Sequence, residues 1–123
     1  MIAMKKSILI VDDDIMSLKL AGMILSQRGY EVHQAKSGLD ALGFLRRKDV
    51  DLILLDVAMP MMNGLKTLEK IRKDKNLAHV PVILLTSSAD SETVIEACRL
   101  EISDYIKKPY TPEQLVERVW KAL

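Results

Sequence analysis

The sequence predicts one α/β domain built on a parallel five-stranded sheet. Three observations carry this. Short apolar runs alternate with segments of helical periodicity, five times over. The connections between them are short, and several hold Gly, Pro, Asn or Ser. Three of the runs, Ser7 to Val11, Asp51 to Asp56 and Val82 to Thr86, are almost continuously aliphatic, as strands covered on both faces must be.

In chain order, Ser7 to Val11 is the first strand and Asp12-Asp13-Asp14 ends it. Ile15 to Arg28 follows as a helix, with Leu18, Ala21 and Leu25 at helical spacing and Gly29 as its stop. Glu31 to Ala35 alternates polar and apolar residues, a half-exposed second strand. Ser37 is placed to cap a helix from about Gly38 to Arg47, and Asp51 to Asp56 forms the third strand. Gly64 to Lys73 is helical, with Leu65, Leu68 and Ile71 on one face. Pro81 stands at the start of the fourth strand, Val82 to Thr86, where a missing donor is tolerated. Asp90 or Ser91 is placed to cap a helix reaching about Leu100, and Ser103 to Lys107 is the fifth strand. Thr111-Pro112-Glu113-Gln114 combines an N-cap, a proline at the first helical position and a capping-box partner, and opens the last helix.

Apolarity also ranks the strands. The first, third and fourth belong at the centre, whereas the second and fifth carry Glu31, His33, Gln34, Asp104 and Lys107 and belong at the edges. The doubly wound, flavodoxin-like order 2-1-3-4-5 satisfies both demands; it is a known order for five such units, matched here. In such a sheet the ligand crevice lies at the carboxyl ends of the strands.

The 123 residues suit a single domain spanning positions 1–123, and 49% apolar residues argue against disorder. A formal net charge of +1 lacks the basic excess of a nucleic-acid-binding domain, so no direct nucleic-acid contact is expected. One cysteine, Cys98, excludes an internal disulfide and a cysteine-based zinc site; among Val94, Ile95 and Ala97 it reads as a buried, inert thiol. The run Ile8 to Val11 is too short for a signal peptide and no stretch approaches membrane-spanning length, so a cytoplasmic domain with no membrane contact is expected.

Asp12, Asp13 and Asp56 fall at the carboxyl ends of the first and third strands, Thr86 at that of the fourth, and Lys107 and Lys108 just beyond the fifth. Two carboxylates roughly 4–5 Å apart repel by about 3–4 kcal/mol at an effective dielectric of 20. A third sharpens the need for a cation, and an oxygen-only set with room for water favours Mg²⁺. Asp14 reads as the cap of the first helix, and Asp12 or Asp13 alone also has that reading. A carboxylate is a poor nucleophile toward a phosphoryl donor unless a bound metal screens the two anions. The product here would be an aspartyl phosphate on Asp56, with Lys108 and the Thr86 hydroxyl each taking a phosphoryl oxygen. Thr86, Ser87 and Ser88 are alternative acceptors without a general base near them in sequence. Lys108-Pro109 permits a cis peptide.

Along essentially its whole length the chain resembles the receiver domain of bacterial two-component response regulators. The likeness rests on Ile8-Leu-Ile-Val-Asp12-Asp13-Asp14, on Asp56-x-x-Met-Pro-x-Met-Asn-Gly64, on Leu85-Thr86-Ser87 and on Asp104-Tyr105-x-x-Lys108-Pro109-Tyr110. It implies that Asp56 accepts phosphate from the phosphohistidine of a sensor histidine kinase or histidine phosphotransfer protein. It implies that Asp13, Asp56 and the backbone carbonyl of Ala58 bind Mg²⁺, with Asp12 acting through water. Thr86 and Tyr105 match the family's switch pair, and the output face would be the fourth helix, fifth strand and fifth helix, with a homodimer through that face as one outcome. The resemblance implies a signalling switch, not an enzyme acting on other substrates. It controls either a downstream target, as a stand-alone regulator, or an output domain beyond Leu123.

Two positions depart from the family pattern. Ser87 replaces the usual alanine, and Glu101-Ile102 replaces the common Gly-Ala, so the fourth helix is expected to end differently here. A magnesium-dependent phosphohydrolase would require a carboxylate where Ala58 stands, and a flavodoxin-like nucleotide binder a Ser/Thr/Gly-rich first loop where this one is triply acidic.

Overall fold

A computed structural model describes residues 5–57, 63–87 and 91–123, without the side chains of 91–94. Its elements are β1 (Ser7–Val11), α1 (Ile15–Ser26), β2 (Glu31–Ala35), α2 (Gly38–Leu45), β3 (Leu52–Asp56), α3 (Gly64–Lys73), β4 (Val82–Thr86), α4 (Ser91–Arg99), β5 (Asp104–Lys107) and α5 (Pro112–Ala122). The strands form one parallel sheet in the order β2-β1-β3-β4-β5. Every residue of β1, β3 and β4 is buried, while β2 and β5 at the edges are partly exposed, as their polar residues require.

Strand alternation splits the core in two. Leu9, Val11, Ile53, Leu55, Val82 and Leu84 pack against Ala41 and Leu45 of α2, Leu68 and Ile71 of α3 and Ala97 of α4. Their neighbours Ile8, Ile10, Leu52, Leu54, Ile83 and Leu85 face Leu18, Ala21 and Leu25 of α1 and Leu115 and Val119 of α5. The strand ends are therefore fixed from both sides, and the polar residues that follow them are held on a rigid frame.

The caps expected at Ser37 and Thr111 form, and Asn63 adds one at the start of α3. Ser37 Oγ accepts from Asp40 N, Asn63 Oδ1 from Lys66 N, and Thr111 and Gln114 form the capping box. Gly29 takes φ +89° after α1, which ends at Ser26, two residues before the expected Arg28. Asp51 lies just before β3; its carboxylate accepts from Ser7 N at 2.7 Å. Tyr110 is half-buried against the α1–α5 core, while Trp120 is 72% exposed.

Two expectations about α4 fail. Cys98 is exposed, because α4 turns Ala97 to the sheet and the next residue along a helix points about 100° away. The end of α4 keeps the left-handed turn that glycine would favour: Glu101 sits at φ +59°, and Arg72 Nη2 donates to its carbonyl at 3.0 Å. Asp90 lies outside the described residues, as does the side chain of Ser91, so the proposed caps of α4 do too. Among the described residues no helix is long and apolar enough to cross a membrane.

Candidate functional site

Asp12 follows β1 directly and is only 1% exposed. Its backbone N–H donates to Ala35 O at 3.1 Å, its Oδ1 accepts from Asp14 N at 2.9 Å, and its Oδ2 accepts from Lys108 Nζ at 2.8 Å. Asp13 is exposed beside it. Asp14 occupies the N-cap position of α1 but makes no capping hydrogen bond; its Oδ2 takes the Ser17 hydroxyl at 2.7 Å instead. That bond, with the nearby N–H groups of Met16 and Ser17, holds its carboxyl below the ordinary carboxylate range.

Asp56 ends β3 and is 5% exposed. The chain beyond it is tied down: Val57 N donates to Leu85 O at 3.0 Å, and Gly64 N donates back to Val57 O at 2.8 Å. Gly64 opens α3 so close to β3 that a Cβ there would clash with Asp56 O. The sequence displays this glycine in the motif but gives no sign of the backbone it approaches. Thr86, 6% exposed, ends β4, and its carbonyl accepts from Lys108 N at 2.7 Å. The Lys108–Pro109 peptide is cis.

These ends converge. Ligand oxygens of Asp12, Asp13 and Asp56 lie within 4.8 Å of one another. Lys108 Nζ stands 3.4 Å from Asp56 Oδ1 while bonded to Asp12. Burial pushes the Asp56 carboxyl up to about 6; Lys108 opposes this, and the charges of Asp12 and Asp13 add to it. Burial works against the Lys108 ammonium, yet Asp12 and Asp56 outweigh it and raise Lys108 above the ordinary lysine value. Three carboxylates against one ammonium leave excess negative charge in a buried cleft, and hard oxygen donors of this kind fit Mg²⁺. The Ala58 carbonyl, expected as a further ligand, lies outside the described residues, as does Ser88.

Ser87 is exposed at the rim, where it lines a groove with Ser17, Leu20, Lys108, Pro109 and Tyr110. Tyr105 pairs with Leu84, two residues before Thr86, and is 39% exposed.

Comparison with known proteins agrees with this geometry. Residues 8–120 match the response regulator receiver domain. The chain is 37% identical over 115 residues to the chemotaxis protein CheY-3 of Vibrio cholerae, covering 93% of this chain and 88% of that protein. It is 41% identical over 123 residues to the transcriptional regulatory protein ZraR of Salmonella typhimurium, covering 100% of this chain but 27% of that longer one. Among solved structures, the Vibrio cholerae chemotaxis protein CheY4 superposes with a TM-score of 0.94 at 28% identity, over 98% of this chain and 100% of that one. A CheY-like receiver domain protein from Methanospirillum hungatei gives 0.91 at 32% identity, over 96% and 93%. Fold, acidic cleft and sequence match all agree: the chain belongs to the response regulator receiver domains of two-component signalling.

Proposed function

We propose that this domain is a phosphorylation switch in which Asp56 takes a phosphoryl group from a phosphohistidine. The observation that carries the reading is the buried Asp56 carboxylate with Lys108 Nζ at 3.4 Å and two further carboxylates within 4.8 Å. At neutral pH Asp56 is mostly ionised, since its pKa of about 6 lies below 7. One of its oxygens attacks phosphorus, the P–N bond to the donor imidazole breaks, and the imidazole nitrogen keeps the electron pair and takes a proton from solvent. Lys108 passes from the carboxylate to a phosphoryl oxygen, and the Thr86 hydroxyl takes another. Bound by Asp13 and Asp56, with Asp12 through water and the Ala58 carbonyl, Mg²⁺ would offset the repulsion between carboxylate and phosphoryl oxygens.

The donor is a protein, a sensor histidine kinase or a histidine phosphotransfer protein. Supporting this, the rim on the α1 side is apolar: Leu20, Pro109 and Tyr110 line a groove that ends at Lys108, and Ile15, Met16 and Met23 are exposed along the same helix. Tyr105, exposed now, turns inward behind Thr86 once phosphate is present, altering the α4–β5–α5 surface that a target or output domain reads. The domain acts on its own aspartate and on no separate substrate, and a cytoplasmic location suits such a role.

Incubation with acetyl phosphate and Mg²⁺, followed by intact mass, tests the reading. One added phosphoryl group, lost in Asp56→Asn, is expected. An unchanged mass, or labelling that persists in Asp56→Asn, overturns it.

A further inference from the structure

Arg72 lies in α3, far from the carboxylate cleft, and the phosphoryl-transfer reading makes no use of it. Its guanidinium donates to five main-chain carbonyls. Nε reaches Leu100 O at 2.8 Å and Nη2 reaches Glu101 O at 3.0 Å. Nη1 is shared among Val80 O at 2.9 Å, Ala78 O at 3.2 Å and Leu77 O at 3.3 Å. The first two carbonyls end α4, just ahead of β5; the other three belong to the segment that leads into β4. Among the described residues no carboxylate forms an ion pair with Arg72, so its partners are carbonyl dipoles.

This arrangement answers two local problems. Carbonyls at a helix C-terminus have no intrahelical partner and carry the negative end of the helix dipole. A guanidinium, with five N–H donors in a fixed fork, suits several of them at once. Glu101 also holds a left-handed conformation, φ +59°, that a residue with a Cβ resists. The strand that follows is weakly held. β5 has four residues, lies at the sheet edge and pairs with β4 alone. Yet β5 carries Tyr105 and leads straight into Lys108.

We propose that Arg72 is a positioning residue for Lys108 and Tyr105. By joining the carbonyls that end α4 to those that lead into β4, it holds Glu101 in its left-handed turn and sets β5 in register along β4. The functional half of this proposal rests on the phosphoryl-transfer reading; the structural half stands without it.

The experiment compares Arg72→Ala, Arg72→Lys and the double variant Arg72→Ala/Glu101→Gly by amide hydrogen exchange and by phosphorylation with acetyl phosphate at saturating Mg²⁺. In Arg72→Ala, the amides of residues 100–108 are expected to exchange at least about tenfold faster while those of β1 and β3 keep their rates. Lysine, with one nitrogen in place of the fork, recovers part of the protection. Glycine at 101 accepts the left-handed turn unaided and restores most of it. The phosphorylation rate should fall several-fold in Arg72→Ala and recover in the double variant. A uniform rise in exchange across all strands, or no rise at 100–108, overturns the proposal. So does a phosphorylation rate that glycine at 101 fails to restore. If Arg72→Ala does not fold, the Arg72→Lys variant, alone and with Glu101→Gly, decides by the same two readouts. If the wild-type chain takes no phosphate, the reading of Asp56 fails while the exchange data still decide the role of Arg72.

Discussion

Lys108 Nζ stands 2.8 Å from Asp12 Oδ2 although 96 residues separate the two in sequence. The contact joins the far ends of β5 and β1 across the ends of β3 and β4, and it gives the buried Asp12 carboxylate a cationic partner. Asp56 Oδ1, 3.4 Å away, shares the same ammonium. Lysine and a divalent cation therefore seek the same oxygens.

Lys108→Ala separates those two roles. With the ammonium gone, a competitor for the Asp12 and Asp56 oxygens is removed, so Mg²⁺ should bind several-fold more tightly. Phosphorylation by acetyl phosphate should nevertheless slow by about 100-fold, the scale of losing one donor to a developing phosphoryl charge. Calorimetric titration with Mg²⁺ and a mass time course check both; weaker Mg²⁺ binding in the variant would contradict the competition.

The raised pKa of Asp56 gives stability a definite pH dependence in chelator. Burial is the main cause, and the carboxyl titrates near 6 in the folded chain against 3.8 ordinarily. Between about pH 4 and 6 the folded protein keeps a proton that the unfolded chain has released, so this group favours folding below that window and its contribution is lost as pH rises through it. The gap corresponds to about 3 kcal/mol. Asp56→Asn removes the ionisation, so the variant should exceed wild type by up to about 3 kcal/mol at pH 7.5, and the difference should close near pH 4. Urea denaturation at the two pH values measures it. A pH-independent difference would show that the carboxylate is not destabilising when charged.

Much of this was legible from residues alone, for a physical reason. Parallel strands covered on both faces must be continuously apolar, so β1, β3 and β4 announce themselves, and a parallel sheet puts Asp12, Asp56, Thr86 and Lys108 at one end whatever the details. What escaped depends on contacts distant in sequence, on helix phase or on a choice between neighbouring donors. Without glycine at 101 the fourth helix is expected to end differently, yet Glu101 keeps the left-handed turn, with Arg72, 29 residues earlier, donating to its carbonyl. Asp14 chose the Ser17 hydroxyl over a backbone N–H, a selection between neighbouring donors that spacing alone does not make.

Cys98 shows the limit of local composition most plainly. Its apolar neighbours suggested burial, but the phase of α4 gives the buried place to Ala97. A thiol reagent such as DTNB should therefore react with the native protein at close to the rate seen in denaturant. Protection by more than about tenfold in the native state, the mark of a thiol reached only through local opening, would return Cys98 to the core.

The two glycines Gly64 and Gly43 should respond to alanine in opposite directions. At Gly64 the added Cβ would clash with Asp56 O and meet Val57 Cα at 2.7 Å. Both are backbone atoms held by the Val57–Leu85 and Gly64–Val57 hydrogen bonds, so no side chain can swing aside to relieve the clash. Gly64→Ala should lose about 3 kcal/mol of stability. Because the atom displaced belongs to Asp56 itself, it should also slow phosphorylation. Gly43, inside α2, has open space around its Cβ position. There alanine removes a poor helix former and narrows the unfolded ensemble, so Gly43→Ala should gain about 0.5–1 kcal/mol and leave phosphorylation unchanged. Denaturant midpoints and acetyl phosphate time courses on both variants check the pair. A Gly64→Ala protein as stable as wild type would mean that α3 can withdraw from β3 without strain, and the tight seat of Asp56 would then not depend on glycine.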